Sequence, residues 1–596
     1  MSKKSKRKKI KRKENVKKSD FDLKNVLYFS CIIIATYLFF KNFTNMSDIT
    51  NNYIKLNATW IISLQIIIYI LLIGIFVYFG YNFLNKRKNK KFDRILIISG
   101  FILVILVQVL AFNPALDRGG DNARYICGAI SLAKTGEYKD IEHPNEHYKT
   151  TDQPGVSIML APLVKIFGVN IPLFKFVPFL LTIGSLILFF ILLENFIAKE
   201  IAIILTLILG TQPYISTFSS MIMTEIPFIF FSLLSFWLLL KYEKSEKINY
   251  IMGILCALSI LMTYFSRTMG IGFSISSVLY FVLKKDWKKA FFLGVVVFIL
   301  FGGWQLRNKL VGGTSQLSAI TGANGLGAKG ITILVGKGIK NLLTSLNLIP
   351  QVLFADASVR WKINPFGVKE LIILSLVFIG YVSNLIKKRS QLDLFFIIAL
   401  ASLCIGTPDS NLLPMARYLC VFVPFFILYF YLGINFIFSF WKKAKEYTNI
   451  VSLVLLLLLV FSNFSGTAFK IQQAHTGQLY SKSMENYFNA GKWIKDNTPE
   501  DVVVACRKCN TFYLFSERKA YRFASYWSKY NKEYEEERMK YFEKYNVSYL
   551  VIDTFSNSVH TAYKIIQNNK DKFELVKIIG NQKKGACYIF KVNKWW

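Results

Sequence analysis

About thirteen apolar runs divide this chain, most of them close to the ~20 residues that carry a helix across a bilayer core. They fall near 25–43, 58–83, 94–113, 171–193, 198–210, 222–240, 249–265, 270–283, 290–304, 366–386, 391–406, 417–440 and 448–464. Composition agrees: 53% of the 596 residues are hydrophobic and only 18% are charged, against ~25% charge in a typical soluble domain. The fold class expected is a polytopic α-helical membrane protein.

The net charge of +37 suggests a nucleic-acid partner, but its placement argues against one. Eleven of the first twenty residues are Lys or Arg. The other basic clusters sit between apolar runs: KRKNKK at 86–91, KKDWKK at 284–289, KKR at 387–389 and KKAK at 442–445. That is the pattern by which membrane insertion keeps cations inside. With the basic tail in the cytoplasm, every one of these knots falls inside, as does KYEKSEK at 241–247. Residues 114–165, 211–220, 305–365, 407–416 and everything after 465 then fall outside. The first apolar run is long and lacks a small-residue cleavage site, so it reads as a span and not a signal peptide. A bacterial inner membrane, with the N-terminus inside and the C-terminus outside, is the expected location.

Residues 466–596 change character. Short strand-like runs (VVVAC at 502–506, SYLVID at 548–553, ACYIFKV at 586–592) alternate with helix-like charged stretches such as 531–545. This reads as a small extracytoplasmic α/β domain. Its CRKC, Cys506 to Cys509, has redox-like spacing but is read as ending a strand, with no Trp beside it. A structural disulfide or free thiols are expected there. Cys31, Cys256, Cys404 and Cys420 lie in apolar runs as packing residues.

The first long external segment begins LDRGGDNARYICGAISLAKTGEY. Asp121, Tyr125 and Ala129 recur every four residues, on one helix face. An Asp after Gly-Gly is also a good helix N-cap, which explains the Asp alone. The D-x-x-x-Y-x-x-x-A pattern, the Gly-Glu-Tyr turn and the Pro-Gly leading into an apolar run ending in Phe-Gly resemble the GT-C integral-membrane glycosyltransferases. The branch is that of the protein O-mannosyltransferases and lipid A aminoarabinose transferases. MIMTEIPF at 221–228, WQLRNKLVGG at 304–313, MARYLCVFVPF at 415–425 and WIKDNTPEDVVV at 493–504 resemble further family segments. The resemblance implies a catalytic carboxylate at Asp121 and a polyprenyl-phosphate-linked sugar donor. Relatives often have two adjacent acids at this motif. Here Asn122 follows Asp121, and Asp117 is the second acid that could share the role. The implied organisation is a basic tail (1–24), an additional N-terminal hairpin (25–93), a catalytic membrane module (94–465) with external loop 114–165, and the α/β domain (466–596).

Glycosyl transfer from a lipid phosphate to a hydroxyl needs a base, cations for the leaving phosphate and an apolar surface for the lipid. Asp121, with Asp117 as second candidate, supplies the base. Arg267, Arg307 and Arg417 lie at outer ends of spans and suit phosphate, although such arginines also serve as snorkelling anchors. Arg118, Tyr125, Asp152 and Glu225 complete the substrate-binding candidates; Glu225 before Pro227 also reads as a helix-start acid. No cofactor is established. A divalent cation stays open, with His143, His147, Glu142 and Glu146 the residues to consider, and no metal ligand is assigned. The Gly-rich 313–330 reads as a mobile outer loop over the site. Expected partners are the lipid-linked donor and a lipid, glycan or protein acceptor. A transporter would place ionisable groups near mid-membrane and show internal repeats, and neither is found. A polymerase or ligase of lipid-diphosphate glycans would have one dominant Arg-rich loop, whereas the arginines here are spread.

Overall fold

A computed structural model describes residues 59–85, 90–117, 120–313, 328–355, 366–388, 390–407, 412–439, 448–475, 480–523, 530–554, 558–581 and 585–593. The basic tail, the run at 25–43 and Arg118 lie outside the described residues. Each of the other twelve apolar runs lies on a helix. Eight helices among the described residues are long and apolar enough to cross a membrane, and the chain is an integral membrane protein. Four shorter apolar helices accompany them: Gly155–Phe167, Tyr250–Ser266, Thr268–Leu283 and Gln391–Gly406.

Local sequence sets the helix starts. Asn170 opens Ile171–Leu193 by accepting from the Leu173 amide (3.1 Å), and Asn249 opens Tyr250–Ser266 by accepting from Met252 (3.0 Å). Ser390 and Asp393 form a reciprocal capping box on Gln391–Gly406. The run at 198–210 becomes a 12-residue helix, Lys199–Gly210, about 18 Å long and shorter than the ~30 Å hydrocarbon core. Ile201 through Gly210 are all buried, so this helix is wrapped by its neighbours. One long helix was not expected. Ala328–Leu353 occupies the segment read as external loop, burying Asn341, Ser345, Leu348, Ile349 and Val352 on one face. It begins inside the Gly-rich run, whose residues 314–327 lie outside the described set.

The C-terminal region holds a five-stranded mixed sheet of order β2-β1-β3-β5-β4, with β1 Val503–Cys506, β2 Lys519–Arg522, β3 Val547–Ile552, β4 Phe573–Ile579 and β5 Cys587–Val592. β2 and β3 flank β1 in parallel, and the β3–β5 and β5–β4 pairs are antiparallel. Alternation along β1 divides its residues between two cores. Val504 and Cys506 face a cluster that includes Ile126, Cys127, Val156, Leu160 and Phe512; Val503 and Ala505 face Phe542 and Ile565. The sheet region therefore shares a hydrophobic core with the helix that carries Asp121.

That helix, Gly120–Thr135, is labelled α1, and its partner, Gly155–Phe167, is labelled α2. They meet at small residues. A Cβ on Gly128 would lie 2.5 Å from Ser157 Oγ, and one on Gly155 would lie 2.7 Å from the Phe265 carbonyl oxygen. Gly155 thus lets α2 seat against the end of Tyr250–Ser266, next to Arg267. Gly155→Ala should lower thermal stability in detergent by roughly 1–3 kcal/mol, because the obstructing atoms are backbone. Gly302→Ala, where a Cβ meets nothing within 4 Å, should leave the melting temperature unchanged or raise it.

Candidate active site

Four of the sequence-derived residues form one charge cluster. Glu225 is the first residue of the helix Glu225–Lys244 and is fully buried. Its Oε1 accepts from Arg267 Nη1 at 2.9 Å and from Arg417 Nε at 2.5 Å. Arg417 reaches onward through Nη1 to Asp121 Oδ2 at 3.0 Å. Two acids and two arginines balance. Exposure rises along the chain of contacts: the side chains are 0% exposed at Glu225, 9% at Arg267, 31% at Arg417 and 46% at Asp121. The cluster is anchored in the protein and opens at the Asp121 end.

Helix breaks position both arginines. Tyr250–Ser266 stops at Arg267, whose backbone is extended (φ −151°), and a single 3-10 turn, Thr268–Gly270, precedes the next helix. Arg267 also donates to Thr224 Oγ1 at 3.2 Å and lies over the Tyr418 ring at 5.0 Å. The helix Leu412–Leu419, which carries Arg417, likewise gives way to a 3-10 turn, Cys420–Phe422. Asp121 is the second residue of α1, and the contact described for its carboxylate is Arg417, not a cap on its own helix. Tyr125, one turn along, is half-buried beside this charge. Burial pushes its phenol pKa well up, the carboxylates of Asp121 and Glu225 add to that, and Arg267 and Arg417 oppose it.

The remaining candidates are elsewhere. Asp152 pairs with Arg124 on α1 at 3.1 Å, beside the cluster. Arg307 is turned to the loop between α1 and α2, donating to the carbonyls of Lys149 (2.7 Å) and Tyr138 (3.1 Å). Asp117 pairs with Lys175 at 3.2 Å; its Oδ2 is buried with no partner among the described residues, and its backbone carbonyl accepts from Asn122 at 2.9 Å. Burial pushes the Asp117 carboxyl pKa up, opposed by the Lys175 charge. Lys175 was missed from sequence although a lone lysine in PLFKFVPFLL was the signal for it. It is fully buried and also donates to the Asn113 carbonyl at 2.9 Å, which ties the approach to α1 onto a membrane helix.

The sheet region holds the loop that follows α1. The Ala520 amide on edge strand β2 donates to the Glu142 carbonyl at 2.6 Å, and Lys519 bonds the Ile141 carbonyl (2.7 Å) and the Glu146 carboxylate. Asn510 donates to the Glu142 carboxylate. The His143 and His147 rings lie 4.9 Å apart, tilted by 36°, with Tyr545 edge-on to His143 at 5.4 Å. No group of three or more His, Cys, Asp or Glu placed to hold a metal occurs among the described residues. Cys509, read as part of a strand end, instead opens a helix, Cys509–Ser516, because β1 ends at Cys506 and the two residues between form the turn.

Residues 143–304 match the family model described as dolichyl-phosphate-mannose-protein mannosyltransferase. That span includes Asp152, Glu225 and Arg267, and excludes Asp121, Arg307 and Arg417. The fold is similar to that of ArnT from Cupriavidus metallidurans, solved bound to undecaprenyl phosphate, with TM-score 0.51 and 9% identity over 84% of this chain and 98% of that one. The archaeal oligosaccharyltransferase AglB from Archaeoglobus fulgidus, in complex with an inhibitory peptide and a dolichol-phosphate, aligns with TM-score 0.49 and 12% identity over 83% of this chain and 74% of that one. No curated protein matches the chain. The chain has a GT-C-like membrane fold with a small C-terminal sheet region, and it resembles the membrane glycosyltransferases of that class.

Removing one partner of a buried ion pair leaves the other charge desolvated and unpaired. Glu225→Ala should therefore cost about 3–5 kcal/mol of stability, read as a lower melting temperature in detergent. Glu225→Gln, which keeps an acceptor for Arg267, should cost less. Equal melting temperatures for wild type and Glu225→Ala would contradict a buried pair.

Proposed function

We propose that this chain is a membrane glycosyltransferase that moves a sugar from a polyprenyl-phosphate-linked donor to a hydroxyl on a lipid, glycan or protein. The observation that carries the reading is the half-exposed Asp121 carboxylate held 3.0 Å from an arginine, Arg417, that is itself anchored on buried Glu225. A base and a phosphate-binding cation sit side by side at one opening. The family model and the undecaprenyl phosphate bound to ArnT support a lipid-phosphate donor.

Asp121 removes the acceptor's proton as its oxygen attacks the anomeric carbon. The bond from that carbon to the phosphate oxygen breaks, and the lipid phosphate leaves carrying the negative charge. Arg417 faces that charge; its Nη2 has no hydrogen bond among the described residues and is available to phosphate oxygen. Direct displacement with a single base inverts the anomeric configuration. Asp117, held by Lys175, shapes the approach to α1 and is not the base. Asp152, through Arg124, and Tyr125 line the substrate side.

Orientation is part of the same proposal. The Lys-rich knots support an N-terminus in the cytoplasm, and with it an Asp121 opening and an α/β domain on the outer face of a bacterial inner membrane. The module boundaries 94–465 and 466–596 belong with it.

The test is transfer by purified protein in lipid, with a panel of labelled polyprenyl-phosphate sugars and a membrane extract as acceptor. Asp121→Asn should lower kcat/KM by roughly 10²–10⁴-fold, the usual contribution of a positioned base, while retaining donor binding. Asp117→Asn should lose less. Full activity in a folded Asp121→Asn variant would overturn the assignment.

A further inference from the structure

The CRKC of the sheet region has a geometry that the proposed reaction does not use. Cys506 is the last residue of β1, and Cys509 is the first of Cys509–Ser516, the helix packed against α1. Their sulfurs lie 3.8 Å apart, at 0% and 6% exposure. Both are free thiols, and theirs is the sulfur–sulfur contact described among these residues. The turn between them is braced. Arg507 Nε bonds the Asp553 carboxylate at 3.0 Å, and the Tyr487 hydroxyl accepts from the Lys508 amide at 3.1 Å. Closing to the ~2.05 Å of a disulfide needs side-chain rotation and little backbone movement.

The helix that Cys509 opens touches the candidate site's own helix at its start. The carbonyl of Asn510, the next residue, accepts from the Cys127 thiol at 3.5 Å, and the Asn510 side chain donates to Glu142. Cys127 lies six residues beyond Asp121 on α1. Phe512, one turn on, shares the core of Ile126 and Ile130.

We propose that Cys506 and Cys509 are a modification site, oxidised to a disulfide during extracytoplasmic maturation, and that the bond fixes the seat of α1 on the sheet region. The proposal rests on the sheet region lying outside the membrane. The two thiols lose two protons and two electrons as the S–S bond forms. The electrons reduce the disulfide of a dithiol oxidant through a mixed-disulfide intermediate. Burial pushes the Cys506 thiol pKa up, so the folded reduced pair reacts slowly, and exchange precedes docking of the region onto α1. Once formed, the same burial slows reduction of the bond, which then takes a strong reductant in excess.

The test uses full-length protein in its native membranes, denatured in an alkylating agent before any reductant is added. Peptide mass spectrometry should find Cys506 and Cys509 unalkylated and linked, two hydrogens lighter, with both alkylated only after reduction. Both thiols alkylated without reductant would overturn the proposal. A membrane-impermeant protease on intact cells separates the causes. Outside cleavage of the C-terminal region with free thiols sinks the disulfide alone, whereas no outside cleavage sinks it together with the orientation. In folded protein, Cys127 should resist maleimide and become several-fold more reactive after reduction of the wild type and in the Cys506→Ser/Cys509→Ser variant. Unchanged Cys127 reactivity in the reduced wild type would overturn the coupling to α1.

Discussion

The buried carboxylate of Glu225 is the group on which the candidate site depends. A charge with no solvent access must be compensated by the protein, and two arginines from other elements converge on one of its oxygens. That requirement fixes Glu225–Lys244, the break after Ser266 and the helix before Cys420 around a single point. Arg417 then has its guanidinium pinned at one edge and extends the other to Asp121. The exposed end of the cluster is rigid because its other end is buried.

The second constraint is close backbone packing. Gly128 and Gly155 let α1 and α2 press together and against the end of the helix that precedes Arg267. The sheet region closes the arrangement from the other side, bonding its edge strand to the loop after α1 and sharing a core with α1 itself. Arg307 and Lys175 act in the same frame. One holds loop carbonyls and the other holds the segment before α1.

Much of this was legible in the sequence because the dominant signals are one-dimensional. Apolar runs mark helices wherever they are long, and VVVAC, SYLVID and ACYIFKV coincide with β1, β3 and β5. β2 was missed because KAYR is four residues with one exposed end, and β4 because FELVKII has an exposed face. Ala328–Leu353 was hidden by Gly336 and Gly338 and by lysines on its outer face, although Asn341, Ser345, Leu348, Ile349 and Val352 carry the helical period. For the arginines, position at a span end gives depth but not azimuth. Arg267 and Arg417 meet at Glu225, while Arg307, at the end of its own span, turns to the loop. The Asp117–Lys175 pair is a contact across 58 residues, which no local pattern encodes.

The central claim is that Asp121 and Arg417 work as one unit, and a double-mutant cycle on transfer rate tests it most directly. Asp121→Asn, Arg417→Lys and the double variant would be compared in kcat/KM with a single lipid-linked donor, each checked for folding. Groups that act together are strongly non-additive, so the double variant should be hardly slower than the worse single variant. Losses that multiply would mean the two residues act independently, and the account of the site would be wrong.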